Sequence, residues 1–173
     1  MHSWFYALLF FLPAGVANMA PLIANKIPGL NQWKTPLDLG TRINGQPIFG
    51  PNKTVRGVVS GTVAALVTGL VLFQLYSFPY EFGIFVIGTT LMGLGALLGD
   101  AIESFFKRQV GIKPGNSWFP FDQLDYIIGG LVLSYFVLLP PFELVLRVAV
   151  LYFGLHLLIS YVGYLLGFKQ QPI

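Results

Sequence analysis

The chain has 173 residues, of which 55% are hydrophobic and only 10% are charged, and its formal net charge is +3. Soluble domains carry charge on about a quarter of their residues, so this composition predicts an integral membrane protein with a single membrane-embedded domain, residues 1–173. There is no cysteine, which excludes disulfides, thiolate metal sites and cysteine nucleophiles. The few, divided cations disfavour nucleic acid as a partner and favour a polyphosphate or an anionic lipid head group.

Five long apolar segments predict an all-α bundle of five transmembrane helices. In chain order they cover residues 3–25, 57–76, 82–99, 124–139 and 142–167. Each is close to the length of about 20 residues that crosses a bilayer core. The apolar runs are continuous rather than alternating, which disfavours a β-barrel. The first segment lacks the basic flank of a signal peptide, and we therefore expect it to be a helix of the bundle.

The cations predict one orientation for this multi-pass protein in the cell membrane. Eight of the ten lie in or beside the two longer loops, as Lys26, Lys34, Arg42, Lys53 and Arg56, and as Lys107, Arg108 and Lys113. The opposite connections, residues 77–81 and 140–141, contain neither Lys nor Arg. Because positively charged loops stay in the cytoplasm, we expect two long cytoplasmic loops, the amino terminus outside, and the carboxy terminus with Lys169 inside.

Small residues recur every fourth position in the second span, as Gly57, Gly61, Ala65 and Gly69. This spacing is typical of closely packed helices. The alternative is a groove for a lipid chain. His156 stands alone in an apolar span, which favours a structural histidine over a ligand.

Acidic residues cluster around the second long loop. Asp100, Glu103, Asp122 and Asp125 are four of the seven acidic residues in the chain. Each pair has i,i+3 spacing, which places both carboxylates on one face of a helix. Carboxylate oxygens are hard ligands suited to Mg²⁺, an ion that proteins commonly share with substrate phosphates.

Basic residues accompany these acids. Lys107 follows Glu103 by four residues, Arg108 is its neighbour, and Lys113 lies in the turn that follows. Such cations suit polyphosphate binding, because metal ions neutralise one side of the phosphates and Lys or Arg the other. Charges at helix ends can also be ordinary interfacial residues, but their density in a chain this poor in charge favours a site.

The order of these residues resembles a known signature. The segment Gly99-Asp100-Ala101-Ile102-Glu103-Ser104-Phe105-Phe106-Lys107-Arg108, followed by Asp122-Gln123-Leu124-Asp125, resembles the G-D-x-x-E-S-x-x-K-R and D-R-x-D motifs of phosphatidate cytidylyltransferases. Asn52-Lys53-Thr54-Val55-Arg56-Gly57 is similar to a G-K-T-x-x-G segment of those enzymes. Gln123 and Lys113-Pro114 depart from the bacterial and eukaryotic pattern, and with five spans the chain resembles the archaeal branch, the CDP-archaeol synthases.

This resemblance implies a Mg²⁺-dependent cytidylyltransferase. The donor is CTP, and the acceptor is an isoprenoid ether lipid phosphate, 2,3-bis-O-(geranylgeranyl)-sn-glycerol 1-phosphate. It implies a metal site at Asp100, Glu103, Asp122 and Asp125, with Lys107 in the catalytic group. It implies substrate binding by Lys53, Arg56, Glu103, Ser104, Arg108 and Lys113.

Three other functions compete with this interpretation. A cytidylyltransferase for another lipid phosphate, such as phosphatidate, would share the same motifs. A CDP-alcohol phosphotransferase would carry D-G-x-x-A-R and G-x-x-x-D-x-x-x-D, which the sequence lacks. A cation channel or transporter would place ionisable residues in the middle of its spans, whereas here they lie near predicted span ends.

Overall fold

The protein is a bundle of five helices, described here from a computed structural model that covers residues 3–43 and 45–167. The elements are α1 (Trp4–Ala24), a 3-10 turn (Leu30–Gln32), β1 (Arg42–Ile43), β2 (Gln46–Pro47), α2 (Val55–Leu75), α3 (Phe82–Gln109), α4 (Phe121–Leu138) and α5 (Phe142–Leu165). In this described part, five helices are long and apolar enough to cross a membrane. The predicted five-helix membrane protein is thereby confirmed, while Lys169 lies outside the described residues.

Two helices extend beyond the apolar segments that predicted them. α3 continues to Gln109 rather than ending at residue 99, and α4 begins at Phe121 rather than at residue 124. The hydropathy limit marks where polar residues begin, but the backbone hydrogen bonding of a helix continues through them. As a result, the predicted acidic and basic residues of this region lie on two rigid helices, with the exception of Lys113.

Close contact between α3 and α4 brings these charged ends together. A Cβ atom added at Gly99 would overlap the backbone carbonyl of Asp125, and one added at Gly129 would overlap the carbonyl of Gly95. Only glycine permits such an approach of two helix backbones. The same contact places the start of α4 directly beside the charged end of α3.

The small-residue stripe of α2 is a packing surface. Gly61 faces Leu97 and the carbonyl of Ala17, Gly69 faces Thr89, and Ala65 is fully buried. These contacts fill the space that the alternative interpretation, a groove for a lipid chain, would need at Gly61 and Gly69. Close packing against α1 and α3 is its role.

A core rich in aromatic residues lies between α1, α3, α4 and α5. Phe10 and Phe11 of α1 are fully buried with Met92 of α3, Ile127 of α4 and Val148 of α5. Buried aromatic rings of this size supply most of the packing surface in a small bundle. These residues pack the four helices against one another.

The loop between α1 and α2 is ordered by backbone pairing. Leu37 N donates to Lys53 O (2.8 Å), and Val55 N donates to Thr35 O (3.0 Å). The carboxylate of Asp38 accepts hydrogen bonds from Phe49 N (3.0 Å) and Gly40 N (2.9 Å). Although its slight burial alone would raise the pKa of Asp38, these backbone bonds lower it overall. The loop is thus held against the start of α2, with β1 and β2 as a short antiparallel hairpin.

Candidate active site

A cleft of about 740 Å³ opens at the charged end of the bundle. Both long loops reach it, through residues 49–53 and 114–117. Eight of the residues predicted to form the site line it: Lys53, Asp100, Glu103, Ser104, Lys107, Arg108, Asp122 and Asp125. We call this space the charged cleft.

Three carboxylates converge in the charged cleft. One oxygen each of Asp100, Glu103 and Asp125 lies within 4.8 Å of the others. Asp100 and Glu103 share a face of α3 because they are one turn apart, and the α3–α4 glycine contact brings Asp125 to them. Oxygen atoms at this spacing fit a divalent cation such as Mg²⁺, although acidic clusters also occur without one.

Asp122 is held differently from the other three acids. One of its oxygens accepts a hydrogen bond from Trp118 N (2.9 Å), and another forms an ion pair with Lys107. It lies outside the group of three that could share one ion. In this arrangement Asp122 fixes the segment before α4 and orients a lysine.

Lys107 connects both helices and the second loop. Its Nζ lies 3.3 Å from Glu103 Oε1, forms an ion pair with Asp122 and donates to Asn116 O at 3.0 Å. An ammonium group has three N–H donors, and three protein oxygens surround this one. Lys107 therefore holds the cleft together and places positive charge beside the acids.

Lys53 reaches the acidic cluster from the first loop. Its Nζ lies 2.5 Å from Asp100 Oδ2. The loop segment that carries it is fixed by the bond from Leu37 N to Lys53 O (2.8 Å). The first long loop thus places a cation in the cleft.

Arg108 is the best candidate for binding an anion in this cleft. It is only 7% exposed, yet its Nε and Nη1 have no hydrogen-bond partner among the described residues. Gly50, with φ of +91°, lies beside its side chain, where an added Cβ would be 3.8 Å from Arg108 Cδ. Buried donors are normally satisfied, so this guanidinium is arranged to receive oxygen atoms from a ligand.

Two predicted substrate-binding residues lie elsewhere. Lys113 is exposed and is not among the residues lining the charged cleft, although its neighbours 114–117 are. Arg56 is buried and lines a second cavity. Its Nη1 donates to Leu30 O (3.1 Å) and its Nη2 to Asn25 Oδ1 (3.0 Å).

Sequence reasoning missed several polar residues of the cleft. Asn18, Gln123 and His156 line it. Gln123 is 1% exposed, and its Oε1 lacks a partner among the described residues. The His156 ring contacts that of Tyr126 (5.6 Å between centroids), so a structural histidine also borders the cleft. The available signal was that each polar side chain occurs in or beside an apolar span, where such residues are costly.

These features define a multi-pass membrane protein whose helix ends form a cleft suited to a metal ion and phosphate groups. The chain belongs to the CarS-like family of CDP-archaeol synthases, whose model matches residues 1–173.

Individual relatives match along most of their length. A CDP-archaeol synthase of Thermofilum pendens is 36% identical over 171 residues, covering 96% of this chain and 79% of that protein. One from Methanopyrus kandleri is 34% identical, covering 95% and 91%, and one from Methanocaldococcus jannaschii is 34% identical, covering 96% and 98%. A solved structure, described as an intramembrane enzyme for archaeal membrane lipids biosynthesis, matches with a TM-score of 0.77 and 27% identity over 91% of this chain and 94% of that one.

Proposed function

We propose that this protein transfers a cytidylyl group from CTP to 2,3-bis-O-(geranylgeranyl)-sn-glycerol 1-phosphate, giving CDP-archaeol and pyrophosphate. The observation that carries the proposal is the charged cleft, in which Asp100, Glu103 and Asp125 converge within 4.8 Å beside the cations Lys53 and Lys107. Family membership and the names of the relatives support the same chemistry. Cytidylyl transfer in archaeal lipid biosynthesis uses both a polyphosphate and a membrane substrate, which matches a charged cleft at the end of a helix bundle.

The reaction requires no covalent enzyme intermediate. An anionic oxygen of the lipid phosphate attacks the α-phosphorus of CTP and forms a new P–O–P bond. The bond from that phosphorus to the oxygen bridging the α- and β-phosphates breaks, and its electron pair leaves with pyrophosphate. The attacking oxygen is already deprotonated, so no general base is needed. The cleft accordingly needs groups that position phosphates and balance their charge.

The donor set fits Mg²⁺ as the cofactor. Asp100, Glu103 and Asp125 would hold the ion, because their oxygens are hard ligands within 4.8 Å of one another. When bound, Mg²⁺ would offset phosphate charge and polarise the phosphoryl oxygens. In this proposal Asp122 supports the site through Lys107 rather than as one of these three ligands.

The cations of the cleft would hold the triphosphate. Arg108 offers the unpartnered Nε and Nη1 donors described above, and Ser104, one turn before it, offers a hydroxyl from the same wall. Lys107 adds a fixed positive charge. A guanidinium presents planar donors that match phosphate oxygens, so Arg108 would orient the leaving pyrophosphate.

We also propose that the site faces the cytoplasm of the cell membrane. Residues 49–53 and 114–117 line one cleft, which supports placing both cation-bearing loops on the same side of the bundle. Positively charged loops favour the cytoplasmic side, where CTP is available.

The decisive experiment is an assay of the purified protein with CTP that is radiolabelled in its α-phosphate, the phosphate that is transferred. With Mg²⁺ and the digeranylgeranyl lipid phosphate, label should appear in a lipid-soluble product in equal amount to released pyrophosphate. Phosphatidate should give a lower kcat/KM than the digeranylgeranyl lipid phosphate if the acceptor assignment is correct. Absence of labelled lipid with every lipid phosphate would refute cytidylyl transfer.

A further inference from the structure

A second cavity, of about 550 Å³, lies beside the charged cleft. It is enclosed by the ends of α1, α2 and α3 and by the first long loop. Six residues line both spaces, and the two charged ones among them are Lys53 and Asp100. Their ion pair is therefore the boundary across which two ligands could meet.

The lining of the second cavity is basic. Its cations are Lys34, Lys53 and Arg56, and Asp100 is the acid that accompanies them. Because Lys53 is paired with Asp100 at 2.5 Å, Lys34 and Arg56 supply the positive charge left to attract an anion. A phosphate monoester carries close to two negative charges at neutral pH, so the charges are complementary.

Arg56 lines this cavity and has an unsatisfied hydrogen-bond donor. It is 7% exposed, and its Nη1 and Nη2 are held by Leu30 O and Asn25 Oδ1. Its Nε is buried and has no hydrogen-bond partner among the described residues. A guanidinium fixed in this way has lost most of its freedom before a ligand arrives, which favours binding at the remaining donor.

The cavity is also apolar on the side towards the membrane. Pro21 and Leu22 of α1, Val58 of α2 and Leu97 of α3 line it. Leu22 is 71% exposed on the outer surface of the bundle, so the cavity reaches the surface that contacts lipid. A ligand that fits must combine an anionic head with an apolar body.

We propose that the second cavity binds the head group of the acceptor, with the lipid phosphate at Arg56 and Lys34, while the charged cleft binds CTP. This inference rests on the proposed cytidylyl transfer and divides the basic residues between its two substrates. The acceptor phosphate then lies beside the Lys53–Asp100 pair, and its oxygen attacks the α-phosphorus across that boundary. Pyrophosphate leaves on the far side, in the charged cleft.

The reverse assignment fits the charges less well. Glu103, Asp122 and Asp125 line the charged cleft but not the second cavity. A triphosphate that shares a metal ion with carboxylates needs those acids nearby, whereas a phosphate monoester without such an ion would be repelled by them. Leu22 borders both spaces, but Pro21, Val58 and Leu97 line the second cavity and not the charged cleft, so the chains of the acceptor would pass between α1 and α2.

The test separates the two substrates. Lys34 is exposed, so Lys34→Gln should fold normally; it should raise the KM for the digeranylgeranyl phosphate about tenfold, since one charge-assisted contact is lost, and leave the KM for CTP within about twofold. Arg56→Lys keeps the charge but alters the donor geometry. It should likewise raise the KM for the lipid phosphate and leave the KM for CTP nearly unchanged. Lys26→Gln, an exposed lysine of the same loop that lines neither space, should change neither.

Two binding measurements make the outcome independent of turnover. The Kd of CTP, measured by calorimetry with Mg²⁺ and without acceptor, should be unchanged in Lys34→Gln and raised in Arg108→Gln. Glycerol 1-phosphate, which has the head group but no chains, should compete with the lipid only at far higher concentration. If the wild-type protein is active, an acceptor KM that is unchanged in both Lys34→Gln and Arg56→Lys would overturn the assignment. So would a Kd of CTP that rises as much in Lys34→Gln as in Arg108→Gln, or glycerol 1-phosphate that competes as strongly as the lipid itself. Inactive wild-type protein would instead refute the proposed function itself.

Discussion

Lys53 Nζ lies 2.5 Å from Asp100 Oδ2 and thereby joins the loop before α2 to the acidic end of α3. The two residues are 47 positions apart in the printed sequence, 100 − 53, yet each lines both cavities of the protein. The pair is thus the point at which the first long loop, the two cavities and the three converging carboxylates meet.

Removing the charge of a converging carboxylate should abolish most activity. We expect Asp100→Asn and Asp125→Asn each to lower kcat by about 100-fold or more, because a lost metal position removes several kcal/mol of transition-state stabilisation. Both changes preserve side-chain volume, so elution of the variants in detergent should match the wild type. Glu143→Gln is a control, since Glu143 forms an ion pair with Arg147 on α5 and lies outside both cavities. Wild-type rates in both aspartate variants would show that the site is elsewhere.

Asp122 should behave differently from these two acids. Asp122 contacts Lys107 and Trp118 N and lies beside the Glu103 carboxyl, so Asp122→Asn should disturb the position of the lysine and the segment before α4. We expect kcat to fall while the Mg²⁺ concentration for half-maximal activity stays within about twofold of the wild type. In Asp100→Asn and Asp125→Asn that concentration should rise strongly. An equal rise in Asp122→Asn would instead make Asp122 a metal ligand.

The sequence predicted the helices and the charged residues that line the cleft, because apolar length and charge clustering are local signals. Asp100 and Glu103 could be placed on one face from their spacing alone. The different contacts of Asp122 and Asp125 could not be predicted. The fourth helix was expected to begin at residue 124, and its register against α3 was unknown. Contacts such as Lys53 with Asp100, or Arg56 with Asn25, depend on the path of a loop whose sequence shows only turn-forming residues.

The contact between α3 and α4 should depend on glycine at position 99. A methyl group there would overlap the carbonyl of Asp125, so Gly99→Ala should separate the helices and destabilise the protein by about 1–3 kcal/mol. Because Asp100 and Asp125 flank this contact, activity should fall further than the loss of folded protein explains. Gly154→Ala is the matched control, since nothing lies within 4 Å of a Cβ at that position. Thermal unfolding in detergent, together with activity per folded molecule, would measure both effects; equal behaviour of the two variants would contradict the packing argument.

The last prediction concerns the orientation of the bundle. Ser117 lines the charged cleft, whereas Ser77 lies in the connection between α2 and α3, at the other end of those helices. The natural chain has no cysteine, so single cysteines at these positions can be labelled without background. In sealed cells, an impermeant thiol reagent should label Ser77→Cys but not Ser117→Cys, because the cation-bearing loops should remain in the cytoplasm. Permeabilised cells provide the control, in which both should react; labelling of Ser117→Cys in sealed cells would place the cleft outside, away from its supply of CTP.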